Sequence, residues 1–367
     1  MSAAGRIVLE GIGVVGGFGC GVSAFGKALA EGPPRPASLA VSAGADLVEI
    51  PAFLADTSPL CEFVPARTLR RIDHFARLSL LGGFLALRDA GLPDEDRRGL
   101  GLIIASGHGA TGITYAFLES FIKDGDICAS PTHFANSVHN SAAANLSILS
   151  GIAGPCLTVS QFYLSFPSAL STARQWIAEG RVDRVLLGAV EELSGLIGYA
   201  WLRMRGAAKP SPMTPLRTSE ETAIPAEGAA FLLLSRAEVA RGGYCALGEA
   251  VTGSRPDDGF PLPDTGLLVL GADGRREHGP RFAALARNAR IACYAPLYGS
   301  MPAGPAFDLA AAALLLRGGR IFPSPGAADI DFPAAVPAGG EPLDASRVCC
   351  LTLGDGGTFG LATAEDL

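Results

Sequence analysis

Gly154-Pro155-Cys156-Leu157-Thr158-Val159-Ser160-Gln161-Phe162-Tyr163-Leu164-Ser165 reads as a short apolar strand running into a helix. Turns of that kind display nucleophiles in many folds, because a helix N-terminus stabilises a developing negative charge. Working outward, Cys156–Ser160 is the strand and Pro167–Glu179 the helix, with further strands predicted at Gly101–Ser106, Val182–Ala189 and Gly228–Ser235. Helices are predicted at Gly109–Lys123, Ser141–Ser150 and, on 3.6-residue spacing of Leu69, Ile72, Phe75, Ala76, Leu80 and Phe84, over Arg67–Ala90 up to Gly91. Residues 33–66 read as loop and 194–226 as irregular. The second half repeats the rhythm, with strand-like runs at 245–251, 266–271, 291–297 and 347–353 and helices at 279–289 and 304–317. Alternating strands and helices imply an α/β fold whose parallel sheet is covered on both faces.

Composition narrows the class. Hydrophobic residues make up 49% of the 367 and charged residues 18%, so the chain can build a large core. A net charge of −7 with scattered Lys and Arg argues against nucleic acid as a partner. The eight cysteines include no Cys-x-x-Cys pair. Free thiols in a reducing compartment are therefore expected, and Cys156 is expected to be a buried strand thiol. The five histidines show no ligand spacing with the cysteines, so no metal is expected. The N-terminus lacks a basic stretch followed by an apolar core, and the apolar runs are too short to span a bilayer. The expectation is a cytoplasmic protein without membrane insertion.

Gly11-Ile12-Gly13-Val14-Val15-Gly16 matches the dinucleotide fingerprint letter for letter. No second strand ending in an acid follows at about 20 residues, so the reading is a glycine turn at the end of a strand. Ser106-Gly107-His108-Gly109 is a strand-to-helix turn compatible with an anion. His133 and His139 are candidates for an acid/base role, or for supporting a loop. His74 is expected on a surface.

Taken in order, several segments resemble the β-ketoacyl synthases. The opening strand and glycine loop fit, as does the Gly154–Ser165 turn. Ile224-Pro225-Ala226-Glu227-Gly228-Ala229-Ala230 resembles the Glu-Gly-Ala strand that closes that family's first half. Leu297–Pro305 is similar to a loop that carries a Lys and then a Gly-His in the family. Leu353-Gly354-Asp355-Gly356-Gly357-Thr358-Phe359-Gly360 resembles its closing glycine loop. Phe134–Ala142 is similar to a ketosynthase-like branch of type II polyketide clusters, including those for aryl polyenes. The resemblance implies a thiolase-like fold of two related αβαβα halves in a five-layered α-β-α-β-α core. Those halves would be residues 1–236, with the nucleophile turn and dimer surface, and 237–367.

The same resemblance implies a vacant site. Tyr163 stands where the family has its cysteine, with Gln161 two residues earlier. Ser300 takes the second histidine position and Ala295 that of the lysine, and the loop at 252–265, expected to carry the first histidine, has none. A phenol with a pKa near 10 does not replace a thiolate. The implied role is a non-condensing subunit of the chain length factor type. It would pair with an active β-ketoacyl synthase through the 156–160 strand and shape the chain tunnel with Gln161, Phe162, Tyr163, Phe166 and Phe359. Arg67, Arg70 and Arg71, with Arg77 further along the same helix, would dock an acidic acyl carrier protein, which brings its own phosphopantetheine; no cofactor is expected. The alternative is a malonyl-carrier-protein decarboxylase or other enzyme with a remodelled site.

Overall fold

Gly11 and Gly13 lie inside a strand, and not at a turn after it. In this computed structural model, which describes residues 6–43, 46–206, 212–254, 262 and 266–367, strand β1 runs from Ile7 to Gly16. A Cβ on Gly13 would stand 2.0 Å from the Gly82 carbonyl oxygen, and one on Gly11 2.4 Å from that of Ala86. The glycines let a helix backbone lie directly on the strand, and no pyrophosphate cradle is needed to explain them.

The first half continues with β2 (Gly19–Cys20), α1 (Gly21–Glu31), β3 (Ala37–Ala43), β4 (Asp46–Ala52), α2 (Ala66–Leu69), α3 (His74–Asp89), β5 (Gly101–Ala105), α4 (Thr111–Asp124), α5 (Pro131–Asn136) and α6 (Ser141–Ser150). It closes with β6 (Cys156–Val159), α7 (Ser165–Ala178), β7 (Arg184–Glu191), α8 (Gly195–Arg205) and β8 (Gly228–Arg236). The second half holds β9 (Cys245–Ser254), β10 (Leu267–Leu270), α9 (Gly279–Leu285), β11 (Ile291–Ala292), α10 (Ala295–Tyr298), α11 (Gly304–Gly318), β12 (Arg347–Leu353) and β13 (Thr358–Glu365).

Eleven of the strands form one sheet in the order β11-β10-β12-β13-β9-β1-β8-β7-β5-β6, with β2 paired to β1, and β3 and β4 form a separate two-stranded sheet. Each half carries the same pattern. From its edge inward, β6-β5-β7 are parallel and β7-β8-β1 antiparallel. Likewise β11-β10-β12 are parallel and β12-β13-β9 antiparallel. Antiparallel pairing of β1 with β9 joins the halves. Helix α7 packs on β5 and β7 from one half and on β9 and β13 from the other, while α11 packs on β10, β12 and β13 and on β1 and β8. These two helices are the shared middle layer. The main core lies around them, with Phe166, Leu170, Phe307 and Leu309 almost fully buried. Helix α3 covers the outer face of the first half, where Phe75, Leu78 and Leu81 meet Ile104, Leu186 and Leu233.

Three sequence expectations are corrected. The Arg67–Ala90 helix is two helices. Asp73 accepts a hydrogen bond from Ala76 N at 2.9 Å and so starts α3 afresh, while Arg77 donates to the carbonyls of Leu69 and Ile72 at the end of α2. The 33–66 loop contains the β3–β4 hairpin. Its two-residue alternation of Leu39, Val41, Val48 and Ile50 is short and diluted by Ala and Ser, and it is fixed by α8, which packs on β3 through Gly198. The same helix orders part of the 194–226 segment.

Candidate functional site

β6 is the edge strand of the sheet, so its outer side is open. Cys156 is accordingly exposed, which corrects the buried thiol expected for it. The strand gives way to a tight turn at Phe162–Leu164 before α7 begins at Ser165. Phe162 has φ of 45°, one of two non-glycine residues with positive φ among those described. That conformation costs about 1–3 kcal/mol and persists only where the surroundings impose it. Here the Ser165 hydroxyl accepts from Gln161 N at 2.7 Å and donates to the Phe162 carbonyl at 2.6 Å. The turn is therefore held in place by the Ser165 hydroxyl.

The five tunnel candidates separate. Gln161 and Phe162 are exposed, Gln161 accepting from the Ser168 hydroxyl at 2.7 Å and Phe162 lying edge-on to His108. Phe166 and Phe359 are buried in the main core. Tyr163 alone of the five meets the buried groups contributed by the second half.

There its ring carries the Arg275 guanidinium 3.5 Å from the ring centroid. Arg275 Nε donates to both oxygens of Asp273, at 2.8 and 3.0 Å. Ser300 donates to the same carboxylate at 2.5 Å. Asp273, Arg275 and Ser300 are all buried. Burial pushes the Tyr163 phenol up to about 12, against the pull of Arg275 and Ser300. Burial would also raise Asp273, but Arg275 and Ser300 outweigh it and hold the carboxyl below its ordinary range. Around these groups lie two small cavities, of about 10 and 20 Å³. Each has room for at most about one water.

The chemistry of this cluster is closed. A phenol held protonated is no nucleophile at neutral pH. The Ser300 proton is committed to Asp273, and Asp273 is an anion locked to Arg275, so neither donates to a developing oxyanion. Asp273 and Arg275 were not found from the sequence, where the search was for a histidine at 252–265. Of that stretch only 252–254 and 262 lie among the described residues. The available signal was Leu267–Leu270 running into Gly271-Ala272-Asp273-Gly274, an apolar strand ending in a glycine turn. β10 holds in the second half the place that β5 holds in the first, so its end meets the same centre.

The first half contributes buried carboxylates. Glu191 accepts from Gly107 N, His108 N and the Ser106 hydroxyl, and lies 3.2 Å from His108 Nδ1. The Ser106–Gly109 turn, read as compatible with an anion, is thus filled by a carboxylate of this chain. Glu192 accepts from Gly112 N and Thr111, yet burial raises it to about 7. Glu227 accepts from Ala55 N and Leu193 N and meets His74 Nε2 at 3.0 Å, so His74 braces a buried acid and is more than a surface residue.

Arg67, Arg70 and Arg71 are exposed on and after α2. Arg71 borders a cleft of about 500 Å³ together with Thr68, Thr132, Asn136 and Asn145. His139 is exposed and packs its ring against Gly109. His133 Nδ1 is buried without a hydrogen-bond partner. Neither histidine joins the Tyr163 cluster. No helix among the described residues is long and apolar enough to cross a membrane.

Residues 7–240 match the family described as "Beta-ketoacyl synthase, N-terminal domain". The chain is 27% identical over 206 residues to 3-oxoacyl-[acyl-carrier-protein] synthase 2 of Vibrio harveyi, covering 56% of this chain and 49% of that protein. It is 26% identical over 239 residues to nodulation protein E of Rhizobium leguminosarum bv. trifolii, covering 64% and 58%. These matches thus span only about half to three-fifths of each relative. Among solved structures it is similar to the ishigamide ketosynthase/chain length factor, with TM-score 0.81, 16% identity and 99% of both chains covered. It is also similar to AntDE:AntF, a type II acyl-carrier protein in complex with its ketosynthase, with TM-score 0.77, 18% identity and 99% of both chains covered. At such identities the likeness shows a ketosynthase-type, thiolase-like fold. The family match over residues 7–240, with the strained turn and the duplicated sheet around it, makes this chain a member of the β-ketoacyl synthase family.

Proposed function

We propose that this chain is a non-condensing ketosynthase-like subunit, of the chain length factor type, that works beside an active ketosynthase. The observation that carries the reading is the filled centre: Tyr163, Arg275, Asp273 and Ser300 occupy the place where an acyl chain would be bound and attacked. The family relatives act on acyl groups carried by a carrier protein, and the ishigamide structure pairs a ketosynthase with a chain length factor. Chemistry absent here is then supplied by the partner, and no cofactor is required of this chain.

The partner surface in this reading is the β6 edge. Leu157 is exposed on that strand, and helix α4 has no buried residue and leaves Tyr115, Leu118, Phe121 and Ile122 exposed, beside Phe134. An apolar face of that kind marks an association surface. Phe162 and Gln161, exposed at the end of β6, are the side chains that would reach into a partner's pocket and limit chain length. Arg67, Arg70 and Arg71 would steer an acidic acyl carrier protein toward the pair.

The test is reconstitution with a Cys-His-His ketosynthase encoded in its neighbourhood. A one-to-one complex is expected, with elongation of malonyl units only when both chains are present. Release of acetyl-carrier product from malonyl-carrier protein by this chain alone would replace the reading with the decarboxylase alternative.

A further inference from the structure

Outside the Tyr163 cluster, one group of side chains is arranged without a protein-internal reason. We propose that Glu277, His278 and Asp355 form a divalent-cation site that ties the loop after β10 to the loop before β13. Their ligand atoms all lie within 4.8 Å of one another. His278 Nε2 is 3.2 Å from Asp355 Oδ1 and 4.0 Å from Glu277 Oε1. A tetrahedral ion with bonds of 2.0–2.2 Å spaces its ligands by about 3.4 Å, close to the His278–Asp355 separation.

The independent observation is the histidine itself. His278 is 7% exposed, and its buried Nε2 has no hydrogen-bond partner, although it faces two carboxylates. Buried ring nitrogens are normally satisfied. Nε2 approaches Asp355 without the alignment of a hydrogen bond, which is the arrangement of a lone pair awaiting an ion between the two.

The charges are suited to a dication. Glu277 Oε1 accepts from Arg205 at 2.7 Å and Arg275 at 3.3 Å, which leaves its second oxygen for the ion. Both guanidiniums have other carboxylate partners, Arg205 in Glu221 and Arg275 in Asp273. Asp355 is exposed and can turn inward, and Arg281 already fixes its loop through the carbonyls of Gly357 and Thr358. One imidazole and two carboxylates leave a fourth position to water and suit a first-row divalent ion such as zinc. The sequence expectation of no metal rested on histidine–cysteine spacing; here a histidine is joined to the acid beside it, Glu277, and to Asp355, distant in sequence. This site does not depend on the subunit role proposed above.

The experiment uses the full chain, freed of metal by chelator, titrated calorimetrically with Zn²⁺ alone at pH 7.5. One-to-one binding is expected, weakened at least about tenfold in Asp355→Asn. Asp355 is exposed, so that variant keeps the fold, and Zn²⁺ should raise the Tm of the parent protein but not of the variant. His278→Gln should abolish binding while retaining the parent's circular dichroism. Because Cys61 and Cys156 are exposed, the Co²⁺ form is examined for a thiolate charge-transfer band. No binding, equal binding by parent and Asp355→Asn, or a thiolate band would each overturn the site.

Discussion

At the scale of single residues, the centre of this protein is defined by substitution and not by deletion. Tyr163 stands where the family resemblance implies a cysteine, and Arg275 is held across its ring by a carboxylate. Tyr163 and Ser300 could be picked out on the chain because each falls inside a motif with fixed neighbours. Asp273 could not, because its importance comes from meeting Ser300 across 27 residues of sequence. Glu192 gives a residue-scale prediction. Its carboxyl is raised to about 7, chiefly by burial. An acid raised in the folded state contributes stability that is complete below its unfolded pKa, near 4.5, and is lost as pH rises through about 7. Glu192→Gln should therefore stabilise the protein at pH 8 by about 2–3 kcal/mol, at about 1.4 kcal/mol per pK unit, and change little at pH 4.5. Urea unfolding at both pH values measures this; an equal effect at both would mean that Glu192 is ionised throughout.

At the scale of elements, the glycines of β1 show how a motif misleads when read in one dimension. Gly11 and Gly13 serve the contact between a strand and α3, which begins some sixty residues later. Gly13→Ala places a methyl group against the backbone of Gly82 and Ala86, neither of which can rotate away. The helix must shift off the strand, at an expected cost of about 3 kcal/mol. Gly26→Ala, in α1 with nothing within 4 Å of the new methyl, is the control. It should gain up to about 1 kcal/mol from helix propensity. Chemical denaturation of the two variants separates a packing glycine from an incidental one, and similar midpoints would remove the close-approach argument. Strong periodicity made α3, α7 and α11 legible in the sequence. The β3–β4 hairpin was not, since its apolar alternation is short and becomes decisive only against α8.

At the scale of the whole molecule, the duplicated sheet leaves each half with an open edge, β6 in one and β11 in the other. The β6 edge exposes Leu157, and α4, packed on α5 and α8, presents a second apolar face. Ile122, 78% exposed, and Leu157, 37% exposed, contribute nothing to the core of the single chain. Ile122→Glu with Leu157→Glu should leave the Tm within a few degrees of the parent's. It should also weaken association, with a second copy or with a ketosynthase partner, by at least about tenfold, since desolvating a carboxylate at an interface costs more than 1.4 kcal/mol. Analytical ultracentrifugation of the parent and double variant reads this directly. Unchanged association would move the partner surface elsewhere.

The sequence by itself determined the family and the alternation of strands and helices, because those are local patterns whose spacing survives substitution. Only the tertiary structure decided which side chains meet. Asp273, Arg275, Ser300 and Tyr163 come from three separate segments of the chain, and Glu191, which fills the Ser106–Gly109 turn, and Glu227, which meets His74, are likewise far in sequence from the groups they bind. A buried charge is tolerated only where a partner neutralises it, and that partner is chosen by the packing of the sheet, whose pairings are long-range and leave no period in the sequence.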